Sequence, residues 1–271
     1  VDFGKIKIYG GNYDFWYESS QLALQQLKDQ NKKAEAKKKE LEAFIARFSA
    51  NLSKSRQATS RKKLLEKLNI EEIEPSTRRY PFVDFKISRE CGNDILIVEN
   101  LTKKPYFENL SFTVDKNDKI VFLSDNTLVT TTLFDVLMGK TKADSGTIKW
   151  GVTITNDYMP GDNSEYFNKF GMNMCDWIRQ YSGDEQTDTF VRGWLGRMLF
   201  SGDDVFKEVS VLSGGEKVRL MLAKLMLSGA NVILLDDPSN HLDLETITSL
   251  NNGMIRYKGN LLFTSHDHEI I

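Results

Sequence analysis

The chain has 271 residues, 40% of them hydrophobic and 27% charged, the proportions of a folded globular protein with length for one large domain or two modest ones. No apolar run approaches the ~18 residues that a membrane-spanning helix needs, and the opening Val1-Asp2-Phe3-Gly4-Lys5 lacks the charged-then-apolar pattern of a signal peptide. Membrane and secreted classes are thereby set aside, and the two cysteines, Cys91 and Cys175, read as core thiols of a cytoplasmic protein rather than a disulfide or metal pair.

The formal net charge of −2 conceals an asymmetry. Residues 16–68 carry 13 Lys/Arg against 6 Asp/Glu, a local +7 that leaves −9 on the remainder. A basic segment on an acidic body suits a polyanion partner, because Lys and Arg gain by displacing counterions from phosphates. A solvated charged helix explains the charge alone equally well.

Along the chain, Lys5-Ile6-Lys7-Ile8-Tyr9 followed by Gly10-Gly11-Asn12 reads as a strand and a turn. Residues 16–68 contain no proline or glycine and are rich in helix formers. Leu41, Phe44, Ile45, Phe48 and Leu64, Leu65, Leu68 mark one helical face. The expectation is a two-helix hairpin with its tip in the polar residues 29–39. Glu74-Pro75-Ser76 and Pro81 then break the helix and open a linker.

From about Phe82 short strand-like runs follow, at residues 95–98, 110–114, 119–123 and 147–150. Residues 165–207 read as mostly helical, with Trp177, Ile178, Tyr181, Phe190, Trp194, Leu195, Met198 and Leu199 as a core-facing stripe. A helix over about residues 215–227 precedes the apolar run Val232-Ile233-Leu234-Leu235, and a second run, Leu261-Leu262-Phe263-Thr264, comes later. Apolar strands separated by helices predict a parallel α/β sheet covered on both faces, with functional residues at the strands' C-terminal ends.

Four elements fall at such places. Leu212-Ser213-Gly214-Gly215-Glu216 opens a helix, where backbone N–H groups and a hydroxyl face an anion; the same residues would also make an ordinary N-cap. Asp236 ends a buried strand and can hold Mg²⁺, and the following Asp237 can orient a water. Ser239-Asn240-His241-Leu242-Asp243 comes next, and His266 follows the last apolar strand.

In this order the four resemble the signature, Walker B, D-loop and switch histidine of ATP-binding-cassette (ABC) ATPases. The basic segment, with Phe44-Ile45-Ala46-Arg47-Phe48 and Ser60-Arg61-Lys62-Lys63-Leu64-Leu65-Glu66-Lys67-Leu68, resembles the connector between the tandem ABC domains of the ABC-F family. So do Gly11-Asn12-Tyr13-Asp14-Phe15 and Asn240-His241-Leu242-Asp243-Leu244-Glu245. The resemblance implies a P-loop NTPase domain of ABC type with antiparallel β and helical subdomains, preceded by an α-helical hairpin. It divides the chain into residues 1–15, the tail of a preceding ABC domain; 16–80, a basic linker; and 81–271, a second ABC domain incomplete at its C-terminus. It implies ATP and Mg²⁺ as ligands, an N-terminal ABC domain and the ribosome (rRNA or tRNA, met by the linker) as partners, and no membrane partner.

The resemblance breaks at the P-loop, which should read G-x-x-x-x-G-K-[ST]. The aligned stretch is Ser124-Asp125-Asn126-Thr127-Leu128-Val129-Thr130-Thr131, continued by Thr132. Ser124, Thr127 and Val129 stand where glycines would be, Thr130 replaces the lysine, and Thr131 keeps the hydroxyl for Mg²⁺. Lost glycines remove the freedom to wrap a phosphate, and the lost ammonium removes a charge. Gly161 stands where a glutamine is expected, Asp237 replaces the catalytic glutamate one methylene short, and the loop at residues 101–106 is shorter than the family's. The expected outcome is an asymmetric pair. The signature, Ser213, Gly214, Gly215 and Glu216, completes a site with the other domain's P-loop, while the site built on Thr130, Thr131, Asp236, Asp237 and His266 binds nucleotide weakly or serves regulation. A transporter's ATPase subunit and a non-catalytic dimerisation module remain as alternatives.

Overall fold

The computed structural model describes residue 10 and residues 13–48, 55–66, 78–267 and 270, within two units, Val1–Arg78 and Arg79–Ile271. The first unit contains helix α1 (Tyr13–Phe48) and helix α2 (Ser55–Glu66). At 1.5 Å per residue α1 is about 54 Å long. It runs unbroken through residues 29–39, so the hairpin tip expected there is not present at those residues. The polar stretch is rich in Lys, Ala and Glu, and its Glu35 and Lys39 stand at the i,i+4 spacing that supports a helix. Polarity there marks a solvated helix face, not a turn. The two helices meet where the Arg61 guanidinium lies 3.5 Å from the centre of the Phe44 ring, a cation–π contact. Leu41 is buried, whereas Leu64 faces solvent, off the packed face. The strand and turn expected over residues 5–12 fall, apart from Gly10, outside the described residues.

The second unit contains two sheets. The antiparallel sheet has the order β2–β1–β4, from β1 (Leu96–Lys103), β2 (Phe107–Val114) and β4 (Ser145–Trp150). The loop joining β1 to β2 is a tight hairpin turn at Lys104 to Tyr106. The parallel sheet has the order β3–β7–β6–β5, from β3 (Lys119–Val121), β5 (Asn156–Met159), β6 (Val232–Leu235) and β7 (Asn260–Phe263). The doubly covered parallel sheet inferred from the apolar runs is therefore present, with every residue of β6 and β7 buried. Strand β5, which begins with polar Asn156-Asp157, carried no apolar run and was not among the expected strands; pairing with β6 makes it a strand.

Helix α3 (Thr127–Leu137) packs between the sheets through Leu133, Phe134, Val136 and Leu137. Residues 165–207 are less helical than their composition suggests. Short helices α4 (Met174–Arg179) and α5 (Asp188–Arg197) alternate with 3-10 turns and loops. The aromatic stripe is core, as expected: Trp177 stacks on Phe167 at 5.1 Å between centroids and donates its Nε1–H to the Tyr166 carbonyl at 2.7 Å. Helix α6 (Gly214–Ser228) and helix α7 (Leu244–Arg256) complete the unit. A buried ion pair, Lys224 Nζ to Asp157 Oδ1 at 2.6 Å, ties α6 to β5.

Candidate nucleotide site

Register places the site. Val121, Phe263, Leu235 and Met159, the last residues of the four parallel strands, lie side by side. The residues that follow them therefore emerge along one edge, where such sheets bind ligands. The ladder extends one step further, through Phe122 N–H to the Phe263 carbonyl (2.8 Å), Thr264 N–H to Leu235 (2.9 Å) and Asp236 N–H to Met159 (2.9 Å).

Asp236 is 3% exposed, and both of its carboxylate oxygens accept hydrogen bonds. The Thr131 hydroxyl donates to Oδ2 at 2.6 Å and the Thr264 hydroxyl to Oδ1 at 2.9 Å. The same Thr264 oxygen accepts the Asp237 N–H at 2.8 Å. Asp237 has a φ of 47°, a left-handed conformation uncommon for a residue with a side chain. Burial pushes its carboxyl above the ordinary carboxylate range, while the charge and backbone N–H of His266 pull the other way. The fold thus brings together Thr131, Asp236, Asp237 and His266 from α3, β6 and β7.

The aligned P-loop is bonded to itself. Asn126 caps α3, its side chain accepting the Leu128 N–H at 3.0 Å, and its own N–H is donated to the Ser124 hydroxyl at 3.2 Å. The Val129 N–H is bonded to the Asn126 carbonyl at 3.0 Å. Donors that an anion would need are taken by the loop's own groups. Thr130 is buried and donates its hydroxyl to the Thr127 carbonyl at 2.9 Å. Leu123 and Leu128 are exposed at the loop, and Asp125 adds a negative charge rather than a positive one. Thr132, in the next turn, is half-buried.

Tested against a Mg²⁺–nucleotide, the residues fit in one part only. Thr131 and Asp236 are an adjacent hydroxyl and carboxylate of the kind Mg²⁺ accepts. Among the described residues no group of three His, Cys, Asp or Glu side chains could hold a metal by itself, so a cation here depends on phosphate oxygens as further ligands. The loop that should hold those phosphates is the part that does not fit.

Ser213 is the N-cap of α6 and forms a complete capping box with Glu216: Ser213 N–H to Glu216 Oε2 at 2.8 Å, Glu216 N–H to Ser213 Oγ at 3.4 Å. Burial would raise the Glu216 carboxyl, but these bonds to Ser213 hold it below the ordinary range. Glu216 therefore shapes the turn. Ser213 and Gly214 face solvent, preceded by Val211 at 72% exposure. A polar cavity of about 220 Å³ separates this turn from the sheet edge, lined among others by Gly161, Gly214, Lys217, Asp236, Asp237 and His241. Gly161 leaves the carboxylate uncovered on that side, where a Cβ would sit in van der Waals contact with Asp236 Oδ2 at 3.4 Å. Thr264, Lys217 and His241 were not singled out as site residues from sequence. Thr264 stands two residues before His266, and only the β6–β7 pairing aims its hydroxyl at Asp236.

A parallel sheet with this edge, an antiparallel sheet beside it and a capped signature helix define the nucleotide-binding domain of ATP-binding-cassette ATPases. The family described as ABC transporter matches residues 107–240, and a companion family of the same description matches residues 1–85. The chain is 59% identical over 275 residues to the ABC transporter ATP-binding protein YkpA of Bacillus subtilis, covering 100% of this chain and 51% of YkpA. It is 31% identical over 280 residues to the energy-dependent translational throttle protein EttA of Mycobacterium tuberculosis, covering 98% and 48%. ABC transporter F family member 5 of Arabidopsis thaliana is 28% identical over 280-odd residues, 281 as aligned, covering 100% and 40%. An ABC transporter ATP-binding protein from Pyrococcus furiosus shares the fold, with a TM-score of 0.53 at 20% identity over 64% of this chain and 92% of that one. The chain belongs to the ABC-F family of ATP-binding cassette proteins. It spans about half the length of these relatives, and among the described residues no helix is long and apolar enough to cross a membrane.

Proposed function

We propose that the chain is the second half of a tandem ABC-F ATPase that acts on the ribosome as a translation factor. In this reading residues 16–80 are the linker that meets rRNA or tRNA, and residues 81–271 are the second ABC domain. The solvent-facing Ser213 and Gly214, with Gly215, complete an ATP site whose P-loop belongs to a preceding ABC domain. That site carries turnover. The site on this half's own sheet edge, with Asp236 and Thr131 toward Mg²⁺ and Asp237 and His266 toward the attacking water, binds ATP weakly.

The observation that carries the asymmetry is the state of the two anion-binding turns. One is capped and open to solvent; the other spends its N–H groups on Ser124 and Asn126 and buries Thr130 where a cation is needed. Mg²⁺, when bound, neutralises the charge of the nucleotide phosphates. The residues here orient: Thr264 holds Asp236 and the Asp237 backbone in one geometry, and His266 faces the Asp237 carboxyl. The ribosomal part rests on the basic linker and on the likeness to EttA, a translational throttle protein by name.

The test is co-sedimentation of the full-length protein with ribosomes and with membrane vesicles, in a non-hydrolysable ATP analogue. Nucleotide-dependent pelleting with ribosomes, lost when Lys32, Lys33, Lys37, Lys38 and Lys39 are changed to Gln, is expected. Recovery with vesicles and not with ribosomes would overturn the reading in favour of a transporter subunit.

A further inference from the structure

Between the sheet edge and the signature helix runs the short turn that follows Asp237. It is held at both ends. The Asn240 N–H reaches the Asp237 carbonyl at 3.2 Å and the Leu242 N–H reaches Ser239 at 3.1 Å, while Asp243 caps α7 by accepting the Thr246 N–H at 2.8 Å. At its crest His241 adopts a φ of 65°. One face of its imidazole lies on Gly214: a Cβ added to Gly214 would stand 3.0 Å from His241 Cγ and 3.1 Å from Cδ2. The His241 carbonyl lies on Gly215, whose added Cβ would stand only 2.8 Å from that oxygen. A Cβ at Gly215 would be excluded by that backbone oxygen, and one at Gly214 would push the imidazole back by a few tenths of an ångström, so both glycines are in close packing contact with His241 inside this chain, independently of any phosphate.

We propose that His241 is a positioning residue that braces the signature turn against the sheet edge. The proposal rests on the reading above, in which Ser213 to Gly215 complete the site that carries turnover. The chain of contacts is continuous: Thr131 to Asp236, Asp237 into the turn, His241 onto Gly214 and Gly215, then the capping box of α6. Through it the state of this half's weak site reaches the signature that serves the other. The imidazole remains exposed on its far side, so the brace is a one-sided contact that can be weakened without unfolding the domain.

The experiment uses the full-length protein with His241→Gly and His241→Asn. Glycine suits a φ of 65° and removes both Cβ and ring, so loss of the contact comes without backbone strain. Asparagine also tolerates this conformation and keeps a planar group in contact. Amide hydrogen exchange over residues 213–218, measured without nucleotide, is expected to quicken about fivefold in His241→Gly, with the first turn of α7 as an unchanged reference. The KM for ATP should rise about fivefold, a change of the order that losing one modest contact produces, while kcat stays within about twofold; His241→Asn should restore both. Unchanged exchange over residues 213–218 in His241→Gly overturns the brace. Quickened exchange with an unchanged KM overturns the positioning role. If the wild-type protein turns over no ATP, the ATPase reading falls, and exchange over residues 213–218 still accepts or rejects the contact.

Discussion

Thr264 serves two groups with one hydroxyl, donating to Asp236 Oδ1 and accepting from the Asp237 N–H. Both partners belong to a buried strand end, and a buried polar group left without its partner costs about 1–3 kcal/mol. Thr264→Val keeps the shape and removes the hydroxyl, so a loss of about 2 kcal/mol is expected in chemical unfolding, with Thr264→Ser close to wild type. Asp237 makes the opposite kind of prediction. Its folded pKa is raised by burial, so the native state holds a proton more firmly than the unfolded chain. Stability is then greatest below the unfolded value, declines as pH rises through the raised folded value, and carries the full penalty at neutral pH. Asp237→Asn removes that penalty and should raise Tm by about 2 °C at pH 7, with the gain vanishing near pH 3.5. A thermal scan at the two pH values checks it, and any ATP turnover that uses Asp237 would be lost in the same variant.

At the scale of elements, the loop before α3 and the first turn of α6 show how similar local chemistry yields different surfaces. Both are N-caps built from small polar residues, Asn126 in one and Ser213 in the other. Two glycines follow Ser213, and the backbone remains open. Around Asn126 side chains occupy the glycine positions, and the N–H groups turn inward to Ser124 and Asn126. Restoring the loop with Ser124→Gly, Thr127→Gly, Val129→Gly and Thr130→Lys should therefore raise MgATP affinity at this half at least about tenfold, since it returns both the wrapping freedom and a phosphate-facing charge. Binding of a fluorescent ATP analogue, with the other domain's P-loop disabled, measures it; unchanged binding would place the defect outside the loop.

At the scale of the whole molecule, the sheet and the region of α4 to α6 are joined by few polar ties, of which Lys224 to Asp157 is the most buried. Lys224→Ala leaves Asp157 half-buried and unpaired, a loss of about 3 kcal/mol that should appear as a lower unfolding midpoint. Most of this architecture was legible in the chain. The apolar runs at residues 232–235 and 261–264 read as buried parallel strands, and the motif residues from Asp236 to His266 were expected at their C-terminal ends, where Asp236 and Thr264 follow β6 and β7. Three features were not legible. Strand β5 is polar at its start and becomes a strand only beside β6. Residues 29–39 look like a turn by polarity yet continue α1, because a solvated helix and a polar loop share a composition. Thr264 acts across the fold on Asp236, 28 residues away, with no local pattern to announce it, and although His241 stands in the Ser239–Asp243 motif, nothing in that motif announces its contact with Gly214, 27 residues away.

By itself, then, the sequence determined the class of fold, the family and which residue types stand in the turn at residues 124–131, because those depend on residue types and short spacings. Tertiary structure alone decided which groups meet. The shared register of Val121, Phe263, Leu235 and Met159 lines up the strand ends, the hydroxyls of Thr131 and Thr264 converge on one carboxylate, and the imidazole of His241 comes to rest on a glycine. Such meetings follow from how whole strands and helices pack, and hydrogen-bond geometry and steric contact have no counterpart in the linear order of residues.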